Sequence, residues 1–79
     1  MRVSELKEIL AGVDPELEIA ISLDDYKCYG IDRSSIEKHL LDGLFLIDGI
    51  KHYDVVDSEN VKEMEELEFE LEDVFVLHT

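Results

Sequence analysis

Helical periodicity gives way to strand periodicity within residues 57–77, DSENVKEMEELEFELEDVFVL. In the first half, Val61, Met64 and Leu67 recur at helical spacing, which predicts a helix over residues 58–67, capped by Asp57 or Ser58. From residue 68 to residue 73, apolar and acidic residues alternate, as is typical of a half-buried strand. The closing VFVL is almost wholly apolar and predicts a central strand beside the first strand of the sheet.

The same segment holds most of the negative charge. Residues 57–73 contain nine Asp or Glu and one Lys, which is a formal −8 out of −14 for the whole chain. Interspersed apolar residues distinguish the segment from a disordered acidic tail, which has few of them. We therefore expect it to fold with its apolar side on a core and its carboxylates in water. The candidate partner-binding residues are Asp57, Glu59, Glu63, Glu65, Glu66, Glu68, Glu70, Glu72 and Asp73.

The residues before this segment predict a helix followed by strands. Residues 4–11 have an apolar stripe at helical spacing, with Ser4 as the N-cap and Gly12 as a left-handed C-cap. Residues 17–23, LEIAISL, predict a central strand that is covered on both faces. After a turn at residues 24–25, the β-rich residues 26–31 are expected to return antiparallel to it.

Residues 34–41 allow two interpretations. The sequence SSIE has the spacing of a capping box, and Gly43 could stop a helix, so a short helix is favoured over a strand continuing through Ile36. The next segment, residues 44–56, predicts a β-hairpin. Its Asp48-Gly49 pair suits a type I′ turn, in which both central residues have positive φ.

These elements predict one small α+β domain over residues 1–79. We expect a mostly antiparallel sheet of four or five strands, with an N-terminal helix and one or two short helices on one face. A domain of this length buries roughly 60% of the surface of its unfolded chain, so its stability is expected to be modest.

Charge and composition exclude several classes of function. A chain of net charge −14 lacks the basic patches that bind nucleic acid or anionic membranes directly, and its charge suits a basic partner. No apolar run approaches the roughly 20 residues that span a bilayer, and the N-terminus lacks the pattern of a secretory signal. The single cysteine, Cys28, forms no internal disulfide, which fits the reducing cytoplasm.

No motif in the sequence points to an enzyme. The four glycines are scattered, so no phosphate-binding loop is present. His39, His52 and His78 are far apart and do not have the spacing of metal ligands. We therefore predict neither catalysis nor a cofactor nor a metal site.

The acidic face has two possible roles. Its glutamates would recur every ~6.6–6.8 Å along a strand and lie ~5–6 Å apart on a helix, spacings that resemble the phosphates of a nucleic-acid strand. A basic groove that binds phosphates could then accept this face. Alternatively, the carboxylates serve solubility alone.

Both ends of the chain resemble a widespread group of small phage and prophage proteins of unknown function. The resemblance lies in VSELKEILAGVDPELEIAIS, residues 3–22, and DVFVLHT, residues 73–79, and does not extend to the middle of the chain. Small acidic phage proteins include many inhibitors of host defence, among them anti-CRISPR proteins and anti-restriction DNA mimics. The resemblance therefore implies an inhibitor whose partner is a basic, nucleic-acid-binding effector or nuclease in the host cytoplasm.

The function predicted from the sequence is that of a non-catalytic acidic inhibitor, a monomer or small homo-oligomer, which contacts neither nucleic acid nor membrane directly. The alternative is an accessory or structural phage protein, either monomeric or oligomeric, whose acidic surface serves only solubility. An exposed apolar edge along residues 44–47 would favour that alternative.

Overall fold

The computed structural model describes residues 1–22 and 30–79, which form two helices and four strands. One sheet holds all four strands in the order β1-β4-β2-β3, with β1 parallel to β4 and the other neighbours antiparallel. The predicted α+β class with a mostly antiparallel sheet is therefore confirmed. In chain order the elements are α1 (Val3–Ala11), β1 (Glu18–Ser22), β2 (Arg33–Ile47), β3 (Ile50–Val56), α2 (Val61–Glu66) and β4 (Leu71–His78).

Strand β4 forms the centre of the molecule, as its apolar sequence predicts. It lies between β1 and β2, and it supplies the buried apolar core of the described residues, Val74, Phe75 and Val76. The predicted coverage of the first strand on both faces is wrong. Among the described strands, β1 lies at the end of the sheet and pairs only with β4, and its Ile19 and Ile21 are 56% and 58% exposed. An apolar strand sequence does not reveal which face of the strand will remain uncovered.

The two faces of the sheet differ in what covers them. Phe75 faces the last turn of α1 and the loop after it, where Leu10, Val13 and Leu17 line a small apolar cleft with it. We call this side the helix face. Val74 and Val76 point to the opposite side, the inner face. The sheet curls around the inner face, since Glu18 on β1 contacts side chains of β3, at the other end of the described strand order.

The helix favoured for residues 34–41 is wrong, and the alternative strand is correct. Residues 33–40 of β2 pair without interruption with β4, from Arg33↔His78 to Leu40↔Leu71. Pairing with an apolar central strand thus outweighs the local capping-box signal, which contributes only about 1 kcal/mol. Gly43 consequently lies inside a strand rather than at the end of a helix.

The hairpin is confirmed, and it contains a bulge. Asp48 and Gly49 have φ of 51° and 79°, as a type I′ turn requires. The register between β2 and β3 shifts between Leu40 and Phe45, around Gly43. A Cβ on Gly43 would lie 2.6 Å from the Cβ of Asp54, so only glycine allows the two strands to approach this closely.

Helix α1 is confirmed, but its ends differ from the prediction. Arg2 rather than Ser4 is the N-cap, and its backbone N–H donates to Glu5 Oε1 at 3.2 Å. Gly12 has φ −98° and is not left-handed. The predicted turn at residues 24–25, Cys28 and most of the strand predicted over 26–31 lie outside the described residues. Gly30 and Ile31 are described and belong to no strand.

Neither α1 nor α2 is long and apolar enough to cross a membrane, and the described part of the chain contains no other helix.

Candidate interaction surfaces

Most of the predicted partner-binding carboxylates lie on and around α2. The sequence predicts a helix over residues 58–67, whereas α2 is shorter and follows Asn60 as its N-cap. Val61 and Met64 are half-buried and anchor the helix, while its glutamates face solvent. We define the acidic surface as the exposed carboxylates of α2 and its flanking segments: Asp57, Glu59, Glu63, Glu65, Glu66, Glu68 and Glu70.

The predicted row of glutamates along a strand is wrong, because β4 begins only at Leu71. A Schellman motif ends α2 at this point: Phe69 N–H donates to Met64 O at 3.1 Å, and Glu68 N–H donates to Glu65 O at 3.0 Å. Glu68 takes the left-handed position of the motif, with φ 64°, where glycine is usual. The turn reverses the chain, so Glu68 and Glu70 are not spaced as on a strand.

Glu72 and Asp73 lie apart from the acidic surface, on opposite faces of β4. Glu72 pairs in register with His39 and points to the inner face. Asp73 points to the helix face, where its Oδ1 lies 2.8 Å from Lys38 Nζ. The hydrogen bond from Lys38 to Asp73 raises the pKa of Lys38. Seven of the nine predicted residues therefore share one region, and the last two do not.

Two large apolar side chains are exposed within the acidic surface. Leu67 is 60% exposed and Phe69 is 43% exposed, although the alternating pattern predicted that Phe69 faces the core. Both follow the end of α2 and are flanked on each side by glutamates. The acidic surface is thus a mixture of carboxylates and apolar side chains rather than a purely charged face.

The hairpin carries a second candidate surface, which is apolar. Beyond Leu40, β2 has no register partner on β4, so the end of the hairpin is a two-stranded ribbon. We define the ribbon as residues 44–53. Its exposed apolar side chains are Leu44, Phe45, Leu46, Ile47 and Ile50, which are 38%, 52%, 66%, 49% and 65% exposed.

Polar groups close the curled sheet across the inner face. Glu18 accepts a hydrogen bond from Tyr53 OH and lies 3.1 Å from Lys51 Nζ. Hydrogen bonds from Tyr53 and then from Lys51 lower the pKa of Glu18. Burial, followed by the bond to Glu18, raises the pKa of Tyr53 to about 12. The ring of buried His39 meets the Tyr53 ring edge-on at 5.0 Å. No local sequence pattern predicts this cluster, because its members are far apart in the chain.

A serine, a histidine and a glutamate also meet on the inner face. Ser35 Oγ lies 2.7 Å from His78 Nε2, and Glu37 Oε2 lies 3.9 Å from the same nitrogen. In a catalytic triad the nucleophile and the acid bind different ring nitrogens, so that the histidine relays a proton between them. Both neighbours compete for one nitrogen here. The arrangement therefore does not constitute a nucleophile with its base.

The described residues offer little to a metal ion or a small ligand. Within residues 1–22 and 30–79, no group of three His, Cys, Asp or Glu side chains is placed to bind a metal. An open cleft of about 460 Å³ lies between β2 and the loop that precedes α2, and it is lined by both cations and carboxylates, among them Arg33, Lys38, Asp57 and Glu59. With Glu37, the lining has two cations and three carboxylates, so charges of both signs face the cleft.

No protein family, curated protein or solved structure matches the chain. Its function must therefore be inferred from its own two surfaces.

Proposed function

We propose that the protein is a non-catalytic, phage-derived inhibitor that acts in the host cytoplasm. Its acidic surface occupies the basic nucleic-acid-binding surface of a host defence protein, in the manner of an anti-CRISPR protein or a DNA mimic. The observation that carries the proposal is the exposure of Leu67 and Phe69 among the carboxylates around α2.

Leu67 and Phe69 place two apolar side chains among the carboxylates of this surface. Protein interfaces combine a few apolar side chains that become buried with a charged rim. In this arrangement the carboxylates of α2 attract a basic partner and increase the association rate. Burial of Leu67 and Phe69 then holds the complex together, by about 1.5–3 kcal/mol for each side chain that becomes fully buried.

Several residues of the acidic surface work against the stability of the helix that carries them. Glu65 and Glu66 lie in the last turn of α2, which contains no basic residue, and carboxylates near a helix C-terminus are unfavourable by about 0.3–1 kcal/mol each. Glu68 occupies a left-handed position that glycine adopts without strain. A binding role for these glutamates would explain why they occur where they destabilise the fold.

The test combines capture from a lysate of the host with two charge-matched variants. The first, E63Q/E65Q/E66Q, neutralises three carboxylates of the acidic surface. The second, E8Q/E16Q/D32N, neutralises three exposed carboxylates elsewhere and is the control. We expect the wild type and the control to capture a nucleic-acid-binding protein. Salt at about 0.5 M should release this protein, because the Debye length then falls to a few Å. Added duplex DNA or RNA should release it as well. The variant E63Q/E65Q/E66Q should not capture it.

A second pair of variants tests the apolar contribution. L67S/F69S should weaken capture while keeping its salt dependence, whereas V3S/I36S, which changes two exposed apolar residues elsewhere, should not weaken it. Failure to capture a nucleic-acid-binding protein, or equal capture by the two charge-matched variants, would overturn the proposal.

The exposed ribbon favours a second candidate function, an accessory or structural phage protein that self-associates. The two candidates differ in the surface they require, because the first depends on the carboxylates of α2 and the second on the hairpin.

A further inference from the structure

Five large apolar side chains of the ribbon are exposed to solvent. Because side chains alternate along each strand and paired residues share a face, Phe45, Ile47 and Ile50 lie on one face of the ribbon and Leu44 and Leu46 on the other. On the first face, the Phe45 ring stacks on His52 at 5.3 Å, and Ile47 pairs with Ile50. Together these residues form a continuous apolar patch that neither α1 nor α2 covers.

The whole chain also exposes more surface than a folded monomer of its size. The accessible surface is 6348 Å² for 9.1 kDa, whereas the scaling relation for monomeric proteins gives about 4,900 Å². The radius of gyration, 13.8 Å, likewise exceeds the roughly 11.6 Å expected for 79 residues. A stable dimer of standard size buries about 800 Å² per partner. The excess, summed over the whole chain, is larger than the area that one partner buries in such an interface.

Local charge permits a second copy of this chain to cover the patch. Two molecules of charge −14 repel each other over most of their surfaces and can associate only where the local charge is near zero. Residues 44–56 contain two aspartates and one lysine, a net charge of −1, and the acidic surface is confined to residues 57–70. The ribbon thus combines a local charge near zero with several exposed apolar side chains.

We propose that the protein forms a two-fold symmetric homodimer in which the Phe45, Ile47 and Ile50 patch of one protomer packs against the same patch of its partner. A two-fold axis through the patch brings identical apolar residues together and forms a closed pair rather than an open chain. The acidic surfaces remain outside the contact and available to another partner. This inference does not rest on the proposed inhibitor function, because it involves different residues. It specifies the contact that the self-associating alternative requires.

The test is the mass of the protein in solution, measured by light scattering and sedimentation over a range of concentrations. The wild type should have twice the mass of 9.1 kDa. The variant I47S/I50S, which removes two patch residues from each protomer, should raise the dissociation constant at least about tenfold. The control I19S/I21S changes two isoleucines on β1 that are exposed to a similar degree, 56% and 58%. It should remain a dimer.

Backbone amide NMR spectra of the wild type on dilution provide a second measurement that does not depend on a variant. Dilution should shift the amides of residues 44–53 and leave those of β1 and α2 unchanged. A wild type that is monomeric at millimolar concentration would overturn the proposal. Dissociation by I19S/I21S rather than I47S/I50S would also overturn it, as would dilution shifts confined to β1.

Discussion

The substitution Gly43→Ala provides a direct test of how the hairpin bends. The new Cβ would lie 2.6 Å from the Cβ of Asp54 and 3.0 Å from its Oδ2. Because the nearest atom is a Cβ, it cannot rotate away, and the strands must separate. Overpacking of this kind costs about 1–3 kcal/mol, and the lower entropy of the unfolded alanine chain offsets about 0.4–1 kcal/mol. The net loss of about 1–2 kcal/mol should lower the thermal midpoint by about 4–16 °C.

The assay is thermal and urea unfolding of Gly43→Ala beside the control Gly30→Ala, whose added Cβ has no atom within 4 Å. The control should be neutral or slightly stabilising. A double-mutant cycle with Asp54→Gly, which removes the opposing Cβ, should recover most of the loss and give a coupling energy above about 0.5 kcal/mol. Equal midpoints for the two alanine variants, or no coupling to position 54, would refute the assignment of Gly43 to a close strand contact.

Two further predictions concern the closure of the sheet and the end of α2. The stability advantage of the wild type over Tyr53→Phe should shrink as the pH rises from 10 towards 12, because folding raises the pKa of Tyr53 from 10.0 to about 12. The same stability advantage should also shrink as the pH falls below 4.5 through the lowered pKa of Glu18, because protonation removes the charge to which Tyr53 donates. A stability difference that stays constant over pH 3–12 in urea unfolding would contradict both effects. Glu68→Gly should stabilise the protein by about 0.5–1 kcal/mol, because glycine adopts the left-handed position of a Schellman motif without strain. The control Asp48→Gly, at φ 51°, should gain less stability, because aspartate tolerates the left-handed region better than glutamate does. A thermal midpoint for Glu68→Gly equal to or below that of the wild type would contradict the prediction.

The parts of the fold that depend on residues close together in the sequence were predicted from strong local signals. The apolar stripe of α1 and the Asp48-Gly49 turn are examples, and each was confirmed. Residues 34–41 were predicted wrongly because their outcome depends on β4, which lies more than 30 residues away in the chain. The exposure of Ile19 and Ile21 on β1 was likewise not predictable, because the elements that cover a strand are set by the whole fold.

The candidate surfaces were predictable in composition but not in shape. The carboxylates of residues 57–70 are exposed, as their charge requires, but the turn at Glu68 breaks the regular spacing expected of a strand. The same turn exposes Phe69, which alternation had assigned to the core. The contact of Glu18 with Tyr53 joins residues 35 positions apart, and no local pattern indicates it.

The position of β4 in the sheet has a consequence for the synthesis of the protein. Strand β4 follows every other described strand in the chain, yet it lies between β1 and β2. A growing chain therefore cannot assemble this sheet until residues 71–78 have left the ribosome, and until then the edges of β1 and β2 lack their partner. Unpaired apolar edges of this kind promote aggregation. The acidic residues 57–70 emerge just before β4, and their mutual repulsion would keep unfinished chains apart during that interval.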